Sequence, residues 1–322
     1  MLEDNPTVRS SLPPDVQTAV TVGTFDGLHK GHLRILEELI DVARSQNLRS
    51  LVATFEPHPR QVLQPGNKLK ILTTKEKKVS LLAELGLDYV VMLSFDRAFS
   101  RVSPERFVKD YLLRRYHMRS LVIGYDHTFG ENRSGGEKTL SELSAVYEFS
   151  LIKVPPVIIE GEPVSSSRIR TALDNGDMLL AANLLGRYYS FIGKVVPGSG
   201  RGKKLGHPTA NLQPLSKHKQ LFPEGIYAAV VDLDGSLRRG VLHHGPRPTF
   251  DEPEPTLELN LFDFSGELYG RLLEVSILQR IRPILRFESA EELVRQMERD
   301  DQMVKEVFER IKIPVDTFSR VG

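Results

Sequence analysis

The sequence has neither cysteine nor tryptophan in its 322 residues. Without cysteine there can be no disulfide bond, thiolate zinc site or cysteine nucleophile, and such a composition is typical of a reducing compartment. No apolar run approaches the roughly 18 residues that a membrane-spanning helix needs. Residues 1–16 lack the cationic and apolar regions of a secretory signal and predict a loosely held arm. We therefore expect a cytoplasmic protein with no membrane partner.

The sequence also has no large excess of either charge, since its 43 Lys and Arg residues are balanced by 42 Asp and Glu residues. This balance gives no sign of a surface for nucleic acid, and we expect no such partner. The length exceeds that of most single domains and predicts two domains of about 150 residues, each able to bury its own core. The composition gives no indication of the oligomeric state.

The first half of the chain alternates short apolar runs with longer amphipathic segments. The runs, rich in β-branched and aliphatic residues, predict buried strands at residues 19–23, 50–55, 89–94, 120–124 and 150–154. The segments between them predict helices at residues 32–45, 74–85 and 104–115. Strict alternation of strand and helix implies right-handed crossovers and a doubly wound parallel sheet, in which ligands bind beyond the carboxyl ends of the strands.

After helical segments at residues 167–175 and 178–185, the chain becomes rich in glycine, proline and short alternating strands. These strands predict a small β-barrel or sandwich and lie at residues 189–196, 225–231, 239–242, 257–262 and 272–278. A final helix is indicated by Ser289 and Glu292, which form a capping box ahead of an apolar stripe. The change in composition predicts domains at residues 1–187 and 188–322.

The stretch GTFDGLHKGH spans residues 23–32, where the first strand gives way to a helix. Its glycines let the backbone approach a ligand closely, and the N-terminus of the helix favours phosphate. His29 and His32 can donate hydrogen bonds to a phosphate whose negative charge grows during attack on phosphorus. We favour this interpretation over a metal pair, which would lack a nearby third ligand, and over a purely structural use.

Three later features are placed to join the same cleft. His58, between two prolines, ends the second strand and either lines the cleft or occupies an ordinary turn. Asp126 follows the fourth strand and could orient polar groups of a ligand. A serine run at residues 165–167 precedes Arg168 and Arg170 in the first turn of a helix, which suits a triphosphate clamp. An ordinary cap would explain one serine, and Arg168 could equally face solvent.

Together these segments resemble a known family. VGTFDGLHKGH is similar to the signature of the HxGH nucleotidyltransferases, a Rossmann-like superfamily that transfers an adenylyl or cytidylyl group from a nucleoside triphosphate. With FEPHP at 55–59, GYDHTFG at 124–130 and VSSSRIR at 164–170, the first domain resembles the FMN adenylyltransferase module of bacterial bifunctional riboflavin kinase/FAD synthetases. The resemblance implies catalytic roles for His29, His32 and Arg170, flavin binding by His58 and Asp126, and ATP binding by Gly23, Phe25, Gly31, Ser166, Ser167 and Arg168.

Residues 189–312 resemble the riboflavin kinase barrel. The landmarks are GKVVPGSGRG at 193–202, PTAN at 208–211, RPT at 247–249, LELNLFDF at 257–264 and LYG at 268–270. The first landmark starts a basic glycine loop, with Gly198 and Lys203, that could wrap phosphate, although such loops are often only solvated turns. Thr209 and Asn211 offer two neutral oxygens on one side of an extended segment, which suits Mg²⁺ held jointly with ATP phosphates.

Glu258 lies in an apolar strand, where a carboxylate is costly unless it is paired or functional. The resemblance implies that it is the base that accepts the proton of the riboflavin 5′-hydroxyl as that oxygen attacks the γ-phosphate. The alternative is a position on the solvent face of an alternating strand. The chain departs from the family at three places, with His207 after Gly206 in place of phenylalanine, His243 in place of asparagine, and the run Tyr125-Asp126-His127 where Phe-Asp-Phe or Phe-Asn-Phe is common.

The resemblance implies an α/β Rossmann-like domain followed by a small β-barrel with a C-terminal helix. It also implies a bifunctional, Mg²⁺-dependent enzyme that converts riboflavin and ATP to FMN, and FMN and ATP to FAD. One alternative is a monofunctional FMN adenylyltransferase whose barrel binds flavin without phosphorylating it. Another is a flavin or nucleotide sensor in which the catalytic steps have been lost.

Overall fold

The computed structural model describes residues 7–8, 12–64, 66, 69–127, 130, 135–198, 208–247 and 252–311. The chain divides into two compact units, a first unit of Met1–Ser166 and a second unit of Ser167–Gly322. Each unit is built around its own sheet, as the length of the chain predicts. The functional boundary that we place after residue 187 remains a prediction.

The first unit contains a six-stranded parallel sheet with the strand order β1-β4-β3-β2-β5-β6. Its strands are β1 (Thr7–Val8), β2 (Thr18–Gly23), β3 (Arg49–Glu56), β4 (Tyr89–Ser94), β5 (Met118–Gly124) and β6 (Ser150–Val154). The five strands that the apolar runs predict are therefore present. The expectation of a loose N-terminal arm is wrong for β1, which pairs with β4 through main-chain hydrogen bonds that the sequence pattern does not reveal.

Helices connect these strands. They are α1 (Lys30–Ser45), α2 (Pro59–Leu63), α3 (Lys75–Ala83), α4 (Pro104–Arg106) and α5 (Glu137–Tyr147), and a short antiparallel pair, β7 (Ile158–Ile159) with β8 (Glu162–Pro163), follows β6. The helix predicted over residues 104–115 is instead α4 followed by a π-helical segment, Phe107–Arg115. Phe107, Val108 and Leu112 pack into the core there, and this tertiary packing overrides a 3.6-residue period.

The centre of the sheet positions the first site. β2 pairs with β3 on one side and with β5 on the other, so the direction of winding reverses between β2 and β5. In open α/β sheets a ligand crevice forms beyond the carboxyl ends of the strands at such a reversal. The GTFDGLHKGH loop leaves β2 at this point, and the segment with Asp126 leaves β5 beside it.

The second unit contains a closed antiparallel barrel with the strand order β10-β13-β12-β11-β14-β9, and β9 pairs with β10 to close it. The strands are β9 (Tyr189–Val196), β10 (Ala210–Pro214), β11 (Gly225–Leu233), β12 (Ser236–Arg247), β13 (Glu252–Leu261) and β14 (Leu272–Arg282). The barrel is preceded by helices α6 (Ser166–Asp174) and α7 (Met178–Leu185). β10 is absent from the sequence prediction, and the strand predicted at 239–242 extends over the whole of β12.

A long helix, α8 (Ala290–Arg310), packs on the outside of the barrel. It begins as predicted, because Ser289 Oγ accepts a hydrogen bond from the Glu292 N–H at 3.2 Å. The contact is apolar and joins Val304, Val307 and Phe308 to Ala228, Val230 and Leu278 of the barrel wall. In the part of the chain that the structure describes, no helix is long and apolar enough to cross a membrane.

Candidate active sites

His29 and His32 meet at the start of α1. His29 is the N-cap, and its Nδ1 accepts a hydrogen bond from the His32 N–H at 3.3 Å. Because an accepting nitrogen carries no proton, the neutral His29 ring has its proton on Nε2. The two rings are stacked with 3.6 Å between their centroids and 15° between their planes. Both rings lie at the N-terminal end of α1, where the helix dipole favours an anion.

The loop that carries the histidines has an unusual backbone. Phe25 and Leu28 have φ angles of 45° and 41°, a region that costs a non-glycine residue about 1–3 kcal/mol. Both side chains are at most 2% exposed, so burial offsets this cost. The Phe25 ring also meets the His32 ring edge-on at 5.2 Å. The loop is thus held in one conformation by the packing of its own side chains.

Gly23 and Gly31 are crowded by these rings. A Cβ at Gly31 would lie 3.2 Å from the ring of His29 and 3.4 Å from the Val164 carbonyl oxygen. A Cβ at Gly23 would lie 3.1 Å from the Phe25 ring. Such contacts are tighter than most packed contacts, so a side chain at either position would require a neighbouring ring to shift by a few tenths of an ångström.

Asp26 anchors the same loop, a role that sequence reasoning missed. Its carboxylate is buried and accepts hydrogen bonds from the Leu72 N–H at 2.9 Å and from the Thr73 N–H at 3.0 Å. The Gly27 N–H donates in turn to Thr73 Oγ1 at 3.1 Å. An aspartate before a glycine is typical of a simple turn, so the sequence gives no signal for this long-range anchor.

The serine run reaches the histidine loop through Ser166. The Ser166 hydroxyl donates to the Asp26 carbonyl oxygen at 2.8 Å. Ser167, Arg168 and Arg170 follow on α6 and belong to the second unit, so their proposed contacts with phosphate remain predictions.

His58 and Asp126 both follow carboxyl ends of strands. His58 is the N-cap of α2, and its Nδ1 accepts a hydrogen bond from the Arg60 N–H at 3.2 Å. His58 thus caps a helix and does not occupy the ordinary turn that was the alternative, and its contact with flavin stays a prediction. Asp126 is exposed beyond β5. Burial lowers the pKa of the neighbouring His127 to about 4, so that ring is neutral at pH 7. Residues 128 and 129 of this motif lie outside the described part of the chain.

Glu258 is the centre of a polar cluster on the barrel. In the register of the sheet it stands beside Asn211 of β10 and His243 of β12. The Thr209 hydroxyl donates to Glu258 Oε2 at 3.1 Å, and the Thr256 hydroxyl donates to Oε1 at 3.1 Å. His243 Nδ1 lies 4.0 Å from Oε1. The structure thus brings together Thr209, Asn211 and Glu258, three of the five site residues predicted in this domain.

Strand alternation places the Glu258 side chain on the face of β13 opposite to the side chains of its two neighbours. Leu257 and Leu259 on either side are buried on the opposite face. The Glu258 side chain is nevertheless only 14% exposed, because its neighbours cover it. A carboxylate held in this way is an oriented group with limited access to water and not an ordinary solvated side chain.

Gly198 lies against Asn211. A Cβ at residue 198 would lie 1.9 Å from Asn211 Nδ2, a distance that no packing can accept. Any other residue there, at the start of the predicted phosphate loop, would force the Asn211 side chain to move. Lys203 and His207 of that loop, like residues 248 and 249, lie outside the described residues. Among the residues that are described, no group of three or more His, Asp or Glu side chains is arranged to hold a metal ion.

Comparison with known proteins separates the chain into the same two parts. The family model described as FAD synthetase matches residues 13–168, and the one described as riboflavin kinase matches residues 185–308. Proteins named bifunctional riboflavin kinase/FMN adenylyltransferase are similar over nearly the full length. The relative from Haemophilus influenzae is 35% identical over 90% of this chain and 94% of its own length.

Two further relatives carry the same name. The protein of Escherichia coli (strain K12) is 35% identical over 92% of this chain and 95% of its own, and that of Bacillus subtilis (strain 168) is 34% identical over 92% and 94%. Among solved structures, a crystal structure described as a macrolide-efflux protein from Streptococcus pneumoniae has a TM-score of 0.82. It is 31% identical and covers 92% of this chain and 96% of that one.

Proposed function

The chain belongs to the family of bifunctional riboflavin kinases/FMN adenylyltransferases, and on that basis we propose which residues carry its two reactions. The protein is an enzyme that phosphorylates riboflavin to FMN and adenylylates FMN to FAD, with ATP as the donor in both steps. Both modules are present in one chain, which favours this activity over a monofunctional adenylyltransferase and over a sensor.

Adenylyl transfer requires stabilisation of charge and no general base. The phosphate of FMN is largely a dianion near pH 7, so its oxygen attacks the α-phosphorus of ATP without losing a proton, and pyrophosphate leaves. His29, with its proton on Nε2, and the stacked His32 donate hydrogen bonds to the α-phosphate oxygens at the N-terminus of α1. The stacked pair on the helix end is the observation that supports this role. Losing one such donor costs about 3 kcal/mol of transition-state stabilisation.

The remaining residues of the first site bind and orient. Ser166 holds the histidine loop through the Asp26 carbonyl, and Gly23, Phe25 and Gly31 shape that loop around the nucleotide. Arg168 and Arg170 neutralise phosphate charge, and the Ser167 hydroxyl donates a hydrogen bond to a phosphate oxygen; these three assignments are supported by the family motif VSSSRIR. His58 and Asp126, at the ends of β3 and β5, contact the flavin.

Phosphorylation of riboflavin differs because the nucleophile is a neutral hydroxyl. Glu258 accepts the proton of the ribityl 5′-hydroxyl as the oxygen attacks the γ-phosphorus, and ADP leaves. The hydroxyls of Thr209 and Thr256 each hold one oxygen of this carboxylate and so fix its orientation. The pairing of Asn211 with Glu258, with Thr209 just before β10 donating to that carboxylate, is the observation that supports this site.

Magnesium is the metal that the second site fits. Thr209, Asn211 and Glu258 present hydroxyl, amide and carboxylate oxygens, the hard donors that Mg²⁺ prefers when it binds with nucleotide phosphates. We propose that Thr209 and Asn211 hold Mg²⁺ with ATP, where the ion would neutralise phosphate charge. Gly198 and Lys203 would line the phosphates. We also propose a cytoplasmic location, supported by the absence of cysteine from the sequence.

An assay of flavin products tests the proposal. The purified protein is incubated with riboflavin, ATP and Mg²⁺, and the flavins are separated by chromatography. FMN should appear first and FAD later, and FMN supplied directly should give FAD. Formation of FAD from FMN without any product from riboflavin would indicate a monofunctional enzyme. Recovery of neither product would refute both assignments.

A further inference from the structure

A lysine lies in the core of the first unit beside the histidine loop. Lys78 is on α3, faces inward with Leu81 and Leu82, and is only 4% exposed. A buried ammonium group is costly unless it is hydrogen-bonded and balanced by opposite charge. The two reactions derived above assign no role to this residue.

The Lys78 ammonium contacts the start of the loop. Nζ donates to the Thr24 carbonyl oxygen at 2.7 Å and to Thr54 Oγ1 at 3.4 Å. The Thr54 hydroxyl donates to the same carbonyl at 3.2 Å. Thr54 is the β3 residue that stands in register with Gly23, the last residue of β2. Two donors from two different elements therefore converge on one carbonyl oxygen.

This carbonyl belongs to the peptide that enters the strained part of the loop. Its orientation fixes the peptide plane between Thr24 and Phe25, and Phe25 has a φ of 45°. A backbone in this region persists only where its surroundings over-determine it. The contact with Lys78 therefore acts on the bond at which the loop turns towards His29.

The charge of Lys78 is also opposite in sign to the charge of the loop. Burial lowers the pKa of Lys78, while the nearby carboxylates of Asp26 and Glu56 raise it. Asp26 is buried within the loop itself and Glu56 ends β3. The ammonium thus offsets negative charge that the loop brings into the core, a balance that a neutral side chain would not supply.

We propose that Lys78 is a positioning residue for adenylyl transfer, which holds the Thr24–Phe25 peptide and thereby places His29 and His32. It acts through the backbone of the loop and does not contact the reactants. This inference rests on the proposed role of the two histidines in the first reaction.

Substitutions at Lys78 test the inference in the full-length enzyme. Lys78→Met removes the donor and the charge, and it should lower kcat for FAD formation from FMN about 50-fold, because misplacement by about 1 Å costs on the order of 100-fold. Lys78→Gln keeps an N–H donor and should lie only about fivefold below the wild type. KM for ATP and FMN should change by less than about threefold, and riboflavin phosphorylation should not change. Lys75→Met, at an exposed position of the same helix, is the matched control and should retain both activities.

Each outcome decides the role of Lys78. The thermal transition of the first unit reports whether each variant is folded, and Lys78→Gln carries the test if Lys78→Met is not. A folded variant with kcat within about twofold of the wild type would overturn the inference, as would a rise in KM alone. If neither variant folds, the residue is structural and the positioning role is rejected. A wild type that makes no FAD from FMN would instead refute the proposed function.

Discussion

The roles that we propose for His29 and Glu258 meet different chemical demands, because one nucleophile is already ionised and the other is not. The FMN phosphate needs no base, so the first site offers imidazole donors at a helix N-terminus. The riboflavin hydroxyl must lose a proton, so the second site offers a carboxylate held by two hydroxyl donors. The side chains in each site follow from the protonation state of the attacking oxygen.

Gly198→Ala should disable the kinase site alone. The new methyl group would overlap the Asn211 side chain, which would have to leave its place beside Glu258. We expect kcat for riboflavin phosphorylation to fall about 10- to 100-fold, since a displaced ligand spoils the alignment of the reactants. FAD formation from added FMN serves as the internal control and should be unaffected. Unchanged FMN formation would show that phosphorylation does not require Asn211 in this position.

His127 should make the first unit sensitive to moderate acid. Its pKa is about 4 in the folded state, against 6.5 for the free side chain, so the unfolded chain binds more protons between these values. Its contribution to stability is therefore complete above pH 6.5 and is lost as the pH falls towards 4. The loss amounts to at most about 3 kcal/mol, because the residue keeps some exposed surface.

Denaturant unfolding of the wild type and of His127→Phe at several pH values measures this effect. Phenylalanine cannot take up a proton, so the variant should lose less stability than the wild type between pH 6.5 and 4. A difference between the two proteins that does not depend on pH would contradict the assignment.

The attachment of α8 to the barrel depends on one buried ion pair as well as on apolar packing. Arg282 of β14 donates from Nε to Asp300 Oδ1 at 2.8 Å and from a terminal nitrogen to Oδ2 at 2.6 Å. Asp300 is 4% exposed, and Gln296 donates to it from one turn earlier in the helix. Such a two-point contact fixes the rotation of the helix more sharply than apolar contacts can.

Asp300→Asn should destabilise the second unit by about 3 kcal/mol, because it leaves the Arg282 charge buried without its partner. The free energy of unfolding of this unit, from denaturant titration, measures the effect. Glu298→Gln, at an exposed position of the same helix, is the control and should change stability by less than about 0.5 kcal/mol. Equal stability of Asp300→Asn and the wild type would show that the apolar contact alone holds α8.

The sequence predicts elements best where burial and periodicity agree. The strands β2, β3 and β5 are buried along most of their length and appear as continuous apolar runs, so they are predicted within about two residues. β10 has the sequence ANLQP, which has too few apolar residues to mark a strand, and it exists because β9 and β13 pair with it. Similarly, β1 forms a strand because it pairs with β4.

Prediction of the candidate sites from the sequence has the same limit. His29, His32, Thr209 and Asn211 are visible in the sequence because their chemistry and spacing are local. The role of Glu258 could be expected only through the family resemblance, since its neighbours come from other strands. Lys78 looks like one more solvated lysine among Lys75 and Lys77, and only the fold shows that it is buried under the histidine loop.

The protein as a whole carries two reactions on two separate folds, and FMN is the product of one and the substrate of the other. Each unit has its own core, and the proposed catalytic histidines lie in the first unit while Glu258 lies in the second. A substitution in one site should therefore leave the chemistry of the other intact. One assay reports both activities, so the activity that a variant should retain serves as the internal control for the activity that it should lose.

The flavin products formed from riboflavin and ATP by His32→Ala and by Glu258→Gln test the assignment of the two sites most directly. His32→Ala should accumulate FMN, with FAD formation reduced about 100- to 1000-fold. Glu258→Gln should form no FMN from riboflavin yet convert added FMN to FAD at the rate of the wild type. Loss of both activities in either folded variant, or full FAD formation by His32→Ala, would contradict the assignment.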